Sequence, residues 1–288
     1  AGKTPLEVMD EVVRELGRQR VAVILNNHTT FATWCGGPDE NGLWFVADRE
    51  PAWGRQSEEQ WIEDWLMLAS RYADCPQVVG YDLRNEVRAA PGRVGPDSSL
   101  PWLRWPVARS SGAAAGAGGG EGGWPPHVRA DWAAAAARCA ERLQALNSGP
   151  LIVVERIVWP QRSLAPYVAY PGPLLPRFAG KLVLAVHSYS WTAPGLYVVK
   201  WIVPNVFRPL LAALDALGVV SWKNHADTVL SRGVEGLKRL ARKEWGWVLE
   251  EERCPVWVSE FGGSLSSPED MVWLEAFVSV LHEFDADW

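Results

Sequence analysis

Five short apolar runs constrain this chain more than any other feature: VAVIL at 21–25, VVGYDL at 78–83, LIVV at 151–154, LVLAV at 182–186 and VWV at 256–258. Runs rich in β-branched residues, with little polar alternation, are the mark of strands covered on both faces, as in a parallel sheet flanked by helices. The segments between them read as those helices. Thr4 and Glu7 make a capping box around Pro5, and Leu6, Met9, Val13 and Leu16 follow on one stripe. Ser57 and Gln60 repeat the device ahead of Trp61, Trp65, Leu68 and Tyr72. Residues 129–146 put Trp132, Ala136, Cys139, Leu143 and Leu146 on one face, with a helix-forming alanine run. Ser267, Pro268 and Asp270 open a last helix predicted to turn Met271, Leu274, Val278 and Leu281 inward. Strand and helix alternate, so the fold class is α/β.

Each apolar run gives way to polar, potentially reactive residues: NNH, RNE, ER, HSY and SEF. In a parallel α/β architecture these clusters share the carboxyl-end rim, where such folds keep their chemistry. Two stretches depart from the pattern. Residues 91–126 contain a Gly/Ala/Ser-rich insert that cannot bury a core, and residues 190–236 form a long connection with turn signals and short helical pieces. Neither reads as a domain boundary, so residues 1–288 are expected to form one domain with two decorated loops.

Charge and motif content remove several function classes. With 28 Lys and Arg against 34 Asp and Glu, the net charge of −6 gives no basic surface for a phosphate backbone, so nucleic acid is not an expected partner. Cys35, Cys75, Cys139 and Cys254 form no CxxC pair. The N-terminal residues read as an amphipathic helix rather than a signal peptide. Lys200, Arg208 and Asp215 interrupt the most apolar stretch, Leu196 to Trp222, which argues against a membrane span. No nucleotide-binding or serine-hydrolase motif is present, and neither a cofactor nor a metal is expected. His28, His187, His225 and Glu260 lack the close spacing of a metal site.

Glu86 in YDLRNEV and Glu260 in PVWVSEFGG are carboxylates at strand ends. Facing each other across a rim, such a pair suits glycosidic cleavage: one protonates the leaving oxygen while the other attacks the anomeric carbon. Each could equally cap a following helix or pair with an arginine. Asn85 could offer its amide to a sugar hydroxyl, and Tyr189 could donate a hydrogen bond that keeps Glu260 ionised. Tryptophan fits the same theme: there are 18 against 7 Phe and 6 Tyr, and flat indoles suit ligands with one apolar face and many polar edges. Trp34 and Trp44, in the loop after the first run, are the candidates for sugar stacking, although tryptophan also serves as a large core filler.

Taken in order, ILNNHTT, WC, ENGLWF, VVGYDLRNE, VHSY and PVWVSEFG resemble glycoside hydrolase family 5, the cellulase family. The resemblance implies a (β/α)8 TIM barrel and a retaining double displacement on a β-linked polysaccharide or oligosaccharide. It makes Glu86 the acid/base and Glu260 the nucleophile, and assigns substrate binding to His28, Asn85, His187 and Tyr189. It also implies an extracellular, monomeric enzyme. Asn26 stands where the family commonly has Asp, and Val87 where Pro commonly follows NE. By the family pattern the barrel is expected to be incomplete: two strands, a helix and an arginine would precede Ala1, and Trp288 would begin an eighth strand. Taken literally, that leaves a second reading open, a carbohydrate-binding pseudoenzyme. Glu155 is a third rim carboxylate, expected to pair with Arg156.

Overall fold

The computed structural model describes residues 2–32, 42–45, 56–87, 132–155, 177–190, 225–263 and 268–288, with backbone alone for 225–232 and 269. The insert at 91–126, the stretch Leu196 to Trp222, Trp34 and Arg156 lie outside them. The chain divides into two compact units, Ala1–Leu184 and Ala185–Trp288, the boundary falling within a strand.

In the first unit, α1 (Pro5–Arg18), β1 (Val23–Asn26), α2 (Glu58–Arg71), β2 (Val78–Asp82), α3 (Trp132–Leu146) and β3 (Leu151–Glu155) alternate before β4 (Leu182–Tyr189) begins. The expected capping boxes set the helix starts. Glu7 N–H donates to Thr4 Oγ1 at 3.3 Å and Thr4 N–H to the Glu7 carboxylate at 2.7 Å. Gln60 and Ser57 make the same exchange at 3.1 and 2.8 Å. β1 pairs with β2 and β2 with β3, both in parallel, and β4 follows β3 in strand order. Gly80 belongs at this close spacing, because a Cβ there would come within 3.3 Å of Ile24 Cγ1. Val23, Leu25, Val78, Tyr81, Ile152 and Val153 are buried, as strands covered on both faces must be. Helices α2 and α3 pack together, with the Trp61 and Trp132 rings 5.9 Å apart, and Trp65, Ala136 and Leu143 are buried as well.

In the second unit, β4 runs on to Tyr189, followed by α4 (His225–Ala241), a π-helical turn (Arg242–Gly246), α5 (Trp247–Glu250), β5 (Val256–Gly262) and α6 (Pro268–Glu283). β5 neighbours β4 in strand order, and α4 packs against α6. Past α6, Asp287 makes a parallel bridge with Trp257, and its carbonyl accepts the Val258 N–H at 2.8 Å. Trp288 packs edge-on to Phe261.

One predicted face is corrected. Met271 is 41% exposed and Leu274 and Val278 are half-buried; Leu281 is buried as expected, together with Trp273, Ala276, Phe277 and Val280. α6 is apolar nearly all round, so its hydrophobic period did not single out an inward stripe. The largest rings decide, with Trp273 and Phe277 stacked at 4.9 Å.

Candidate active site

In the first unit the ends of β1, β2 and β3 bring together the residues singled out there. The main chain leaves the sheet in a linked manner: Asn27 N–H donates to the Asp82 carbonyl at 3.1 Å, Asn85 N–H to the Asn27 carbonyl at 3.0 Å, and Leu83 N–H to the Val153 carbonyl at 3.1 Å. Arg84 is buried, and its guanidinium donates to the carbonyls of Leu43, Asn27, His28 and Asn85. These bonds fold the residues after β1 over the end of β2. Asn85 is buried, and its Oδ1 has no hydrogen-bond partner among the described residues. Glu86 is half-buried and sits at φ 41°, a left-handed conformation that non-glycine residues rarely adopt.

The side chains beneath Glu86 form a network. His28 Nδ1 lies 3.0 Å from Asn26 Oδ1, and Asn26 Nδ2 donates to Asp82 Oδ2 at 2.8 Å. Buried Asp82 neighbours buried Glu155, whose Oε2 accepts the Glu86 N–H at 2.7 Å. Burial, then the neighbouring Asp82 charge, push the Glu155 carboxyl well above the usual carboxylate range. Glu155, expected to pair with Arg156, which lies outside the described residues, is buried and holds the Glu86 main chain at the rim.

In the second unit β4 and β5 carry the other group. The Tyr189 hydroxyl donates to Glu260 Oε2, the same oxygen that lies 3.7 Å from His187 Nδ1. The His187 and Tyr189 rings meet edge-on, with His187 buried and Tyr189 36% exposed. Just past β5, a Cβ at Gly263 would collide with the side chain of Ser190, whose hydroxyl donates to buried Asp270 at 2.5 Å. This bond and the lack of a side chain at Gly263 bring the residue after β5 close against Ser190 and Asp270.

Sequence reasoning placed Glu86, Asn85, His28, Glu260, His187 and Tyr189 at strand ends, where they are found. Trp44 is corrected: it is fully buried, wedged against Phe45, Trp61 and Trp132 with centroids 5.1 to 6.4 Å away, and its N–H donates to Glu58 at 3.0 Å. No face of that indole is open to a sugar. Arg84, Asp82 and the role of Glu155 were missed, because most of their hydrogen-bond partners lie 41 to 69 residues away in sequence. The available signal was polar residues within or ending apolar runs, which must find partners when buried.

The chain matches the family model described as Cellulase (glycosyl hydrolase family 5) over residues 1–282. It is 25% identical over 290 residues to an endoglucanase from Paenibacillus polymyxa, covering 96% of this chain and 54% of that protein. A shorter match, 35% over 89 residues, covers 31% of this chain and 16% of the major extracellular endoglucanase of Xanthomonas campestris pv. campestris. The solved catalytic domain of the major endoglucanase from Xanthomonas campestris pv. campestris superposes with a TM-score of 0.62 at 22% identity, covering 99% of this chain and 64% of that one. An endocellulase from Pyrococcus horikoshii, solved in complex with cellotetraose, gives 0.62 at 22% identity, covering 99% and 65%. These structural likenesses show the fold, the α/β barrel type of such enzymes. The chain spans about half the length of the Paenibacillus relative and about two thirds of the solved chains.

Proposed function

The chain belongs to glycosyl hydrolase family 5, and on that premise we propose that it hydrolyses β-linked glucan internally, with retention of configuration. Glu260 attacks the anomeric carbon while Glu86 gives its proton to the departing glycosidic oxygen; the C–O bond breaks and a glycosyl-enzyme forms. Glu86, now a carboxylate, takes a proton from water, which releases the sugar and restores Glu260. The reading is carried by the family match over residues 1–282, in which both glutamates stand at strand ends. Local chemistry supports each role. The Tyr189 hydroxyl donates to Glu260 and so helps to orient the carboxylate that attacks. The buried Asn85 Oδ1 is an acceptor suited to a sugar hydroxyl. His28 and His187 each offer a ring nitrogen to sugar hydroxyls near the end of their own strand. The address that goes with this reading is extracellular, as in the Xanthomonas relative.

The test uses the longest natural polypeptide that contains these residues, assayed for reducing-end release from β-1,4-glucan, mannan and β-1,6-galactan. Activity on β-1,4-glucan with a first-formed β anomer by NMR is expected. An α anomer overturns retention, and binding without cleavage overturns the enzyme reading. Glu260→Ala is expected to be inactive and to regain turnover with azide, yielding a glycosyl azide. Glu86→Ala is expected to lose about 10²- to 10⁴-fold in kcat on polysaccharide.

A further inference from the structure

Four side chains and one peptide group join the ends of β1, β2 and β3: His28, Asn26, Asp82 and Glu155, closing on the Glu86 N–H. The protons in this chain are dictated by its chemistry. Asp82 and Glu155 are neighbouring buried carboxyl groups, and burial with the Asp82 charge beside it favours the protonated form of Glu155. The Asp82 oxygen facing Asn26 is an acceptor, which turns the Asn26 NH2 toward it and the amide oxygen toward His28. His28 therefore carries a hydrogen on Nδ1, and its Nε2 is the nitrogen left to accept when the ring is neutral. At the other end, the Glu86 backbone is in a strained left-handed conformation, and its N–H goes to Glu155.

We propose that Glu155, a buried carboxyl group beside Asp82, is a positioning residue for Glu86. Its carboxyl oxygen fixes the peptide group of Glu86 and thereby the backbone angle from which the Glu86 side chain departs. A neutral acid suits this task better than an ionised one. It accepts the N–H without setting a second negative charge against the carboxyl group that must hold and return a proton. The amide at Asn26 suits the same arrangement, because a carboxylate there would face the Asp82 charge. The buried acid is consistent with the upward displacement of Glu155, for which burial is the largest cause.

The proposal rests on Glu86 being the acid/base, and its test separates the two ideas. Glu155→Gln, a neutral acceptor of the same shape, and Glu155→Leu, which has no acceptor, are compared with the wild type on phenyl and dinitrophenyl β-cellobiosides. The readout is the burst rate of the glycosyl-enzyme-forming step. A phenolate leaves only with acid assistance, whereas dinitrophenolate leaves without it. Glu155→Gln is expected within about threefold of wild type on both. Glu155→Leu is expected to lose about 10- to 100-fold on the phenyl glycoside, less than about threefold on the dinitrophenyl one, with KM unchanged. Equal losses on both substrates, no loss on either, or a Gln variant as slow as Leu each overturn the proposal. Infrared spectra supply a readout independent of turnover and of whether the Leu variant folds. Wild type at neutral pH should show a carboxylic acid carbonyl band that Glu155→Gln lacks, and its absence overturns the protonated Glu155. A wild type that shows the band but cleaves neither glycoside defeats the glycosidase reading and leaves the Asp82–Glu155 pair standing.

Discussion

Tryptophan does more in the first unit than fill space. An indole has a large apolar body and one N–H that must be satisfied when buried. Trp61 Nε1 donates to Asn27 Oδ1, Trp65 Nε1 to the Leu83 carbonyl and Trp132 Nε1 to the Glu155 carbonyl, each at 3.1 Å. Asn27, Leu83 and Glu155 lie where β1, β2 and β3 end, where the regular ladder no longer supplies partners to the main chain. The rings come from α2 and α3, so each indole ties a helix to the rim while packing the core behind it. The tryptophan excess could have meant sugar stacking or core; for these three and Trp44 the answer is core that anchors the rim. Trp132→Phe tests this, since the ring stays and the donor goes. The buried Glu155 carbonyl then loses its partner, at an expected cost of about 1–3 kcal/mol in urea unfolding. Trp44→Phe should cost less, because Glu58 keeps Arg138. Equal costs would mean that ring volume alone matters.

At the scale of elements, what was legible followed from local rules. Thr4 and Ser57 announced α1 and α2 because a capping box needs only residues three apart, and the β-branched runs announced all five strands. β4 and β5 nevertheless outrun their apolar cores, to Tyr189 and Gly262. His187, Tyr189 and Glu260 thus project from strand rather than from loop. α4 and the π-helical turn were not legible. Gly233, at φ 64°, reads as a stop signal and does interrupt α4, yet helix resumes beyond it and carries buried Leu237 and Trp245. The hub around Arg84 was hidden for another reason: its acceptors are main-chain carbonyls, which carry no sequence signature. The caps give a graded prediction. Ser57→Ala should cost about 1 kcal/mol of global stability, because α2 buries Trp61, Ile62 and Trp65. Thr4→Ala removes an equivalent cap from α1, which fully buries Val13 alone. Its effect should show in hydrogen exchange as lost protection confined to α1, with the urea midpoint little changed. Global destabilisation by both variants would mean that α1 is as tightly built in as α2.

At the scale of the whole molecule, the buried Glu155 contributes to how stability responds to pH. Exposed carboxylates such as Asp10, held below its usual range chiefly by Arg71, contribute stability above their unfolded values and lose it as pH falls. Glu155 acts in the opposite sense. Its folded value lies well above the unfolded 4.5, so the native state keeps a proton that the unfolded chain gives up. Its contribution is whole below about 4.5 and drains away as pH rises through the folded value. Over that window each pH unit costs the wild type about 1.4 kcal/mol for the one proton retained. Glu155→Gln has no proton to lose and should escape the cost. Urea unfolding at a series of pH values from the acid side to above neutrality should therefore show the variant gaining on the wild type as pH rises. Indole fluorescence is the natural probe, since Trp61, Trp65 and Trp132 bond to residues at these strand ends and sense their loss. A difference that stays flat with pH would mean that Glu155 ionises in the fold much as it does in water. The Glu86 peptide would then be held by a charge rather than by an acid, with a second carboxylate set against the group that must give up a proton.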